Sequence, residues 1–464
     1  MAVENIGAKK YALQKTYLIG LLAGPLLLCP TVLLAQETDA GGVIATLEVG
    51  QRFQYIEEDG FSGSSSDEGL RSLTSVAFSV SSETHSQYLA FNLSTGIAQN
   101  LTNGGSTEFE STRASLDYRI SNRSTELTFG GFYLRDEVDD LAFDTSLEDD
   151  AITTGAGQRE VFNLTTGLTV GRESPITGSL RHVFEKSEYS DTTDPSLNDS
   201  LTQRVEGRLS FEVSPNLEAS VFGSFSTVDE QGAGATDRET SRIGIGATYE
   251  VTPSTTLTGE IAYSTEDSRG TVVDETDGLN YAFSLAHARP NGEVSLRFSE
   301  DDTLNGKRRQ LTAGRSYQLR RGEFSFSLGA TKTDGFSPQP IANVQLDYQI
   351  DRNSTFEVSL QQSGGIDGGN NEVINTRLDM SYARELTSLS QISAGLALVE
   401  ENVLNAGGVD RRSVRFNVSH AYQLARQWDL VSGFSHSSVR EDAQPTRKRN
   451  TVFLGIQKSF SYRP

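Results

Sequence analysis

The sequence contains almost no cysteine. Its 464 residues include one Cys, two Met and one Trp. Cys29 lies in an N-terminal segment that we expect to be removed, so the mature chain can form neither a disulfide nor a thiolate metal site. A basic surface is missing as well, because the formal net charge is -22. Nucleic-acid binding normally requires a basic face, so no nucleic-acid partner is expected.

Long apolar runs are absent after the N-terminus. Three lysines precede one apolar run over residues 18–35, which two prolines interrupt. A basic start, an apolar middle and a small final residue are typical of a secretory signal peptide, so we predict that residues 1–35 are cleaved after Ala35. The alternative is a membrane anchor, since the run has about the length of a marginal spanning helix. No composition shift divides the remainder, so residues 36–464 are predicted to form one domain.

A two-residue hydrophobic period recurs along almost the whole mature chain. It is clearest over residues 201–264, where the first of four segments alternates polar residues with an apolar set: Val205, Gly207, Leu209, Phe211 and Val213. Successive side chains leave opposite faces of a pleated strand, so this period indicates β-strands. Short connections rich in Pro, Asn and Ser mark hairpins. The pattern predicts an all-β protein of about 22 strands, within a range of 20 to 24.

Periodicity alone does not say which face of a strand is wet, because a soluble sandwich shows the same alternation. Two features favour a transmembrane antiparallel up-and-down β-barrel. Short turns alternate with longer acidic loops, as periplasmic turns and extracellular loops do in outer-membrane barrels. A single meander this long would also be unusual as an open sheet. Closure removes both sheet edges, which hydrocarbon requires because it offers no hydrogen bonds to unpaired backbone groups.

Aromatic residues gather at the strand ends beside the tight turns. Their rings suit a water–lipid boundary, where one end of the side chain is apolar and the other is wet. The predicted membrane-interface residues are Tyr118, Tyr249, Tyr317, Tyr348, Tyr382, Tyr422 and Trp428.

The phase opposite the apolar one is polar and charged, which suits a water-filled lumen. The candidates for lining that lumen are Arg113, Asp117, Arg119, Arg208, Glu212, Arg242, Arg297, Asp347, Glu357, Arg377, Asp379 and Arg415. Rings of charge can make a pore selective. This set mixes both signs, so it predicts neither anion nor cation selectivity.

With these features the chain resembles a Gram-negative outer-membrane β-barrel of the porin-like kind. The resemblance covers residues 43–462 and extends to an aromatic terminal strand with Phe453, Phe460 and Tyr462, although Arg463 and Pro464 follow it. More narrowly, the chain looks like the β-barrel porins associated with exopolysaccharide systems. TonB-dependent receptors have a similar strand number but carry a plug domain before the barrel. Here the strand pattern begins soon after the predicted cleavage site, so we expect no plug.

The expected function is an outer-membrane channel for hydrophilic solutes or saccharides, since a barrel of this size encloses more room than side chains fill. The alternatives are a non-conducting scaffold or adhesin barrel, and a component of a polysaccharide export system. The resemblance implies three partners: lipid with lipopolysaccharide, the barrel-assembly machinery through the C-terminal strand, and saccharides or small solutes.

Neither catalysis nor a cofactor is expected. The chain has five histidines, four of them (His182, His287, His420 and His436) in the apolar phase and His85 in a short turn. No arrangement of Ser, His and acid is evident. Acidic clusters in the predicted loops, such as residues 57–59, 136–140, 148–150 and 300–302, could hold hard cations through oxygen. They lack the spacing of an EF-hand, so solvated loops are the simpler interpretation and no metal site is predicted.

Overall fold

The structure is a computed structural model, and it describes residues 42–60, 67–102, 107–138, 157–192, 197–232, 235–270, 274–367, 371–442 and 444–463. The predicted signal peptide and cleavage site lie outside the described residues, and so do the acidic residues 139–140 and 148–150. The predictions of cleavage and of a missing plug therefore stay predictions. In the described part of the chain, no helix is long and apolar enough to cross a membrane.

The described residues form 22 β-strands. The first eleven are β1 (Val43–Asp59), β2 (Asp67–Glu83), β3 (Gln87–Asn100), β4 (Thr107–Ser121), β5 (Thr125–Glu137), β6 (Gln158–Val170), β7 (Ile176–Ser190), β8 (Asp199–Ser214), β9 (Leu217–Gln231), β10 (Thr236–Thr252) and β11 (Thr255–Gly270). The others are β12 (Asp274–Arg289), β13 (Gly292–Thr303), β14 (Gly306–Leu319), β15 (Gly322–Thr333), β16 (Gln339–Asp351), β17 (Ser354–Ile366), β18 (Glu372–Thr387), β19 (Ser390–Val403), β20 (Arg411–Ala425), β21 (Trp428–Glu441) and β22 (Arg447–Tyr462).

The strands close into a barrel. Each strand pairs antiparallel with the next one along the chain, and β22 returns to pair antiparallel with β1. The closing seam runs from Ala45 opposite Tyr462 to Asp59 opposite Lys448. The predicted fold, an up-and-down antiparallel barrel of about 22 strands, is confirmed. Because closure leaves no edge strand, the ladder hydrogen bonds continue around the whole circumference.

The two faces of the wall differ in chemistry. Large apolar side chains are exposed at every second position of the strands, as in β10, where Ile243 is 65% and Ile245 62% exposed. The alternate positions carry most of the buried polar and charged side chains, including Glu48, Arg52 and Gln54 of β1. The side chains of a barrel strand point alternately outward and inward, and the concave side crowds them more. The apolar phase therefore faces outward and the polar phase inward.

The inner face is not uniformly polar. Leu134 of β5 and Val161 of β6 are almost completely buried and pack with Phe132 on the inner side. Phe453 of the terminal strand also faces inward, where the Arg52 guanidinium lies 4.7 Å from its ring centroid. Of the three aromatic residues noted in the terminal strand, only Phe460 and Tyr462 are exposed on the outside.

The two ends of the barrel have different connections. At the turn end, residues 84–86, 122–124, 171–175, 215–216, 253–254, 290–291, 320–321, 352–353, 388–389 and 426–427 link the strands. The loop end has longer links on average, and residues 138–157 are the longest. The predicted alternation of short and long connections is not strict, since residues 304–305 join β13 to β14 and residues 271–273 join β11 to β12 at the loop end.

Several segments predicted as loops are strand. The polar residues 227–240, whose composition is typical of a loop, lie mostly in β9 and β10. The acidic residues 57–59 and 300–302 lie on strands as well. The hairpins continue beyond the apolar band with polar side chains on both faces, so alternation stops marking the strand there while the backbone ladder goes on.

Candidate functional site

All of the predicted lumen-lining residues lie on the inward phase of their strands. Arg113, Asp117 and Arg119 alternate with outward residues of β4, and Arg208 and Glu212 do the same in β8. The remaining residues occupy corresponding positions on five later strands and on β10: Arg242, Arg297, Asp347, Glu357, Arg377, Asp379 and Arg415. That these side chains border a water path remains a prediction.

Most of these residues are dispersed around the wall. Asp347 and Glu357 are direct cross-strand neighbours on β16 and β17. The Arg119 guanidinium lies 5.8 Å from the Tyr88 ring, and Arg297 sits between Ser284 and Thr312 of the adjacent strands. Arg208 and Arg242 are brought together across the strand that lies between theirs, β9.

Arg208 and Arg242 share one aromatic ring. Their guanidinium carbons lie 4.7 and 5.7 Å from the centroid of Phe222, which faces inward from β9. Arg208 also donates hydrogen bonds to Ser220 Oγ at 3.0 Å and to Glu260 Oε1 at 2.7 Å. We call Arg208, Ser220, Phe222, Arg242 and Glu260 the Phe222 cluster. Cation–π contacts of this kind hold guanidinium groups near the ring.

Strand pairing explains how the cluster forms. Phe222 lies directly opposite Arg208 on β8 and opposite Gly244 on β10, so Arg242 is its diagonal neighbour. Cross-strand and diagonal neighbours are within reach of aromatic and long side chains. Glu260 reaches the cluster from β11, where it lies opposite Gly246.

Two glycines of β10 make the space for these side chains. A Cβ atom on Gly244 would lie 2.5 Å from Phe222 Cζ and 2.7 Å from the Ile261 carbonyl oxygen. A Cβ atom on Gly246 would lie 2.8 Å from Ser220 Oγ and 3.2 Å from Glu260 Cγ. Real Cβ atoms do not approach so closely in packed interiors, so glycine at both positions lets the cluster lie flat against the wall.

The two arginines of the cluster differ in charge compensation. Arg208 pairs with Glu260, so its charge is balanced. Arg242 makes no salt bridge or hydrogen bond with any residue in the described ranges, and its buried Nε has no hydrogen-bond partner. Its charge acts on Asp301 of β13 only over a longer range. The cluster borders a recess of about 560 Å³, which Arg181 and Glu206 also line.

Sequence reasoning missed Phe222, Ser220 and Glu260. The available signal was the phase of Phe222, because its neighbours Val221 and Phe225 continue the apolar face while Phe222 falls on the polar one. A large aromatic residue in the polar phase of a barrel strand indicates an inward-facing ring. The contribution of Glu260 depends on the register of four strands, which periodicity does not determine.

Ion pairs at the loop end join strands that are not neighbours. The Arg308 guanidinium of β14 donates to both carboxylate oxygens of Glu372 on β18, at 3.1 and 2.8 Å. Thr333 Oγ1 donates to the same carboxylate at 2.6 Å, and Arg308 also reaches the Gly365 carbonyl oxygen at 3.1 Å. We call Arg308, Thr333, Gly365 and Glu372 the Glu372 latch. Glu372 is 2% exposed, so the latch is buried.

A second group of ion-paired side chains, one arginine with two carboxylates, links three strands on the other side of the barrel. Arg449 of β22 donates to Glu58 of β1 and Glu137 of β5, each at 2.6 Å. Two of the acidic residues predicted to lie in solvated loops thus have a basic partner inside the barrel. No group of three or more metal-ligating side chains occurs among residues that the structure describes.

The predicted interface aromatics lie at the turn end on the outward phase. Trp428 begins β21, and Lys458 Nζ lies 4.8 Å from its ring centroid. Tyr317 stacks on Phe324 with ring centroids 6.2 Å apart. The other predicted members hold equivalent positions: Tyr118, Tyr249, Tyr348, Tyr382 and Tyr422. Contact of this girdle with a membrane remains a prediction.

A second set of tyrosines, which was not predicted as interfacial, lies nearer the loop end. In each of the three, the phenolic hydroxyl donates to a carboxylate on the adjacent strand. The pairs are Tyr55 to Glu68 at 2.9 Å, Tyr133 to Glu160 at 3.1 Å and Tyr263 to Asp277 at 2.7 Å. Each ring belongs to the outward apolar face while its hydroxyl reaches a polar rim, which is the arrangement expected at a second boundary.

The tight turns are held by local hydrogen bonds. In the turn between β16 and β17, the Asn353 backbone amide donates to Asp351 Oδ1 at 2.8 Å. This hydrogen bond lowers the pKa of the Asp351 carboxyl below its ordinary value, because it favours the charged form.

One serine–histidine contact occurs at the turn end. Ser390 Oγ lies 2.8 Å from His420 Nε2 on the outer face. No carboxylate among the described residues bonds His420, so a triad is not formed there. His287 and His436 likewise bond uncharged groups, Thr255 and Asn450.

Known structures share this barrel but little of its sequence. The chain is similar to the ferric-catecholate import receptor Fiu from E. coli K12, with a TM-score of 0.54, 10% identity and coverage of 92% of this chain and 82% of that one. It is also similar to the FrpB iron transporter from Neisseria meningitidis, with a TM-score of 0.52, 10% identity and coverage of 89% and 81%. The siderophore receptor PirA from Pseudomonas aeruginosa is similar as well, with a TM-score of 0.50, 10% identity and coverage of 92% of this chain and 81% of that one.

No protein-family model matches the sequence, and no curated protein is similar to it in sequence. At about one residue in ten identical, the structural likeness shows the fold alone. The chain thus shares its barrel fold with these two receptors and this transporter. The narrower resemblance to porins of exopolysaccharide systems stays a prediction, since none of the three structures above is described as a porin.

Proposed function

We propose that the protein spans the outer membrane of a Gram-negative bacterium and lets hydrophilic solutes pass through its barrel. The observation that carries this proposal is the division of the wall into two faces. Apolar side chains such as Ile243 and Ile245 are exposed outside, while the inward phase carries Arg, Asp, Glu, Ser and Thr. An exposed apolar band of this extent requires lipid around it, and a polar interior suits water.

The orientation follows from the two ends of the barrel. Described residues at both ends of the strand series, Val43 of β1 and Tyr462 of β22, lie at the turn end. Short turns face the periplasm in outer-membrane barrels, and longer loops face outward. We therefore place the tyrosine and tryptophan girdle at the periplasmic boundary. The three tyrosine–carboxylate pairs then lie towards the lipopolysaccharide side.

Two partners follow from this placement. Lipopolysaccharide and phospholipid surround the apolar band, and the terminal strand β22 contacts the assembly machinery before it closes on β1. Phe460 and Tyr462 are exposed on that strand and available for recognition.

Passage of solutes is tested with the full-length mature protein in planar bilayers and in liposomes. We expect steady ionic currents, and swelling of liposomes in isotonic sugars, with rates that fall as the sugar grows. Liposomes containing heat-unfolded protein provide the control. A protein that inserts as a barrel but leaves the bilayer sealed to ions and sugars would favour the alternative, a scaffold or surface-display barrel.

A further inference from the structure

We infer that the Phe222 cluster is a binding site for solutes that carry one carboxylate beside hydroxyl groups, such as sugar acids. This inference rests on the proposed function, and it names a solute class for the same lumen. The observation behind it is a cation without a salt-bridge partner among the described residues, held at a built position of the inner wall.

Arg242 is held in place without being neutralised. Its guanidinium lies near the Phe222 ring, and Phe222 in turn lies over Gly244. The buried Nε has no hydrogen-bond partner, and no carboxylate comes within salt-bridge distance of the side chain among described residues. A desolvated donor that lacks a partner is unfavourable, so a ligand oxygen that accepts from it would be stabilised here.

Arg208 shows what the missing partner would look like. It stacks on the same ring and is saturated by Ser220 and Glu260. A planar guanidinium offers parallel N–H donors that match a carboxylate. A solute carboxylate would supply to Arg242 what Glu260 supplies to Arg208.

The surroundings limit the charge and the character of the ligand. Glu206 and Glu260 border the same recess but pair with Arg181 and Arg208, so a doubly charged phosphate would bring one negative charge more than Arg242 can balance. A single carboxylate suits one uncompensated arginine better. Carboxylate oxygens of the wall and the Ser224 hydroxyl, which also lines the recess, can accept hydrogen bonds from solute hydroxyl groups. These features favour a hydroxylated monocarboxylate.

Arg297 provides a matched control. It is also an inward-facing arginine without a salt bridge or hydrogen bond in the described part of the chain. Unlike Arg242, it is exposed and has neither an aromatic ring nor a glycine pair beside it. Replacing either arginine with glutamine removes the same charge from the lumen. A difference in glucuronate affinity between the two variants therefore reports binding at the Phe222 cluster and not the loss of one positive charge from the lumen.

The test measures binding and conduction separately. Binding of D-glucuronate, D-glucose and D-glucosamine to the purified protein in detergent micelles is followed by calorimetry. We expect glucuronate to bind best. Arg242→Gln should weaken it about 10- to 100-fold, as expected for one charge-assisted contact. Arg297→Gln should leave the affinity unchanged, and Arg242→Lys should restore part of it.

Equal affinities for the three sugars, or equal losses in Arg242→Gln and Arg297→Gln, would overturn the inference. Heat-modifiable migration of each variant on gels checks that the barrel has formed, and Arg242→Lys preserves the charge if Arg242→Gln does not fold. Block of single-channel current by glucuronate adds the link to transport. If the protein binds glucuronate but leaves the bilayer sealed, the channel proposal is wrong and the binding site stands. If it conducts ions but shows no preference for glucuronate, the channel proposal stands and the binding site is wrong.

Discussion

The Glu372 latch offers the most quantitative prediction. Beyond Gln362, towards the loop end, β17 no longer pairs with β16 and is hydrogen-bonded only to β18. The end of this hairpin leaves the wall, and Gly364 lies close to Thr331 of β15, where a Cβ atom would be 3.1 Å from Thr331 Cγ2. Glu372 with its bidentate arginine therefore ties this hairpin end to β14 where β17 has lost its partner β16, while β18 stays paired with β19 as far as Val373.

Glu372→Ala removes one partner of a buried ion pair and leaves the Arg308 guanidinium without its carboxylate. Losing one member of such a pair costs about 3–5 kcal/mol, because the remaining charge is desolvated and uncompensated. The barrel wall below is continuous, so we expect the loss to appear as local opening and not as global unfolding. Amide exchange over residues 363–375 should then quicken by about two to four powers of ten, since each 1.4 kcal/mol is tenfold.

Hydrogen–deuterium exchange with mass spectrometry of the protein in micelles measures this effect. Glu188→Ala is the control, because the Lys186–Glu188 pair is similarly short at 2.7 Å but its side chains are 49% and 50% exposed. An exposed pair contributes about 0–1 kcal/mol, so exchange near it should change little. The double variant Arg308→Ala/Glu372→Ala should lose less local stability than the two single variants lose together. Its amide exchange should therefore be slower than the sum of the two single losses predicts. Unchanged exchange at 363–375 in Glu372→Ala would refute the latch.

Three further predictions concern the wall and its turns. Gly244→Ala should displace the aromatic ring of the cluster, destabilise the barrel by about 1–3 kcal/mol through overpacking, and weaken glucuronate binding in the same calorimetric assay. Ile245→Arg should lower the free energy of unfolding by about 2–4 kcal/mol if this outward side chain lies near the bilayer midplane, and should leave it unchanged if the side chain faces water. Refolding titrations in lipid vesicles measure this change. The Asp351 carboxylate has a lowered pKa, so its stabilisation of the turn is present above the pKa of the unfolded chain and is lost as pH falls through the folded value. After correction for intrinsic rates, Asn353 amide exchange should quicken over that acid range, and an Asp351→Asn variant should lose this extra pH dependence.

The strands were predictable because the barrel has only two environments. The outer side of β10 carries Ile243, Ile245 and Ala247, and its inner side carries Arg242 and Gly244. A single period of two therefore describes the whole strand. The same logic placed the charged candidates on the inward phase. It failed beyond the apolar band, where Asp267 and Ser268 are both polar although they lie on opposite faces of β11.

The cluster could be predicted only in part. Phase alone selects Arg208 and Arg242, but their meeting at Phe222 depends on how β8, β9 and β10 are aligned. That alignment is set by the β8–β9 turn and by the β9–β10 connection, whose boundaries the polar residues obscured. The Glu372 latch was out of reach for a related reason. It joins β14 to β18, and the bend that brings them together has no counterpart in a hydrophobic period.

The central claim is that the apolar phase of each strand touches lipid while the polar phase faces water. It is tested most directly by nitroxide scanning of residues 241–249 in β10, using chains that begin at residue 36, which contain no native cysteine, in lipid vesicles. We predict that accessibility to oxygen peaks at the odd positions and accessibility to a water-soluble nickel reagent at the even ones, with a period of two. A reversed phase, or equal exposure of both phases to the nickel reagent, would contradict it.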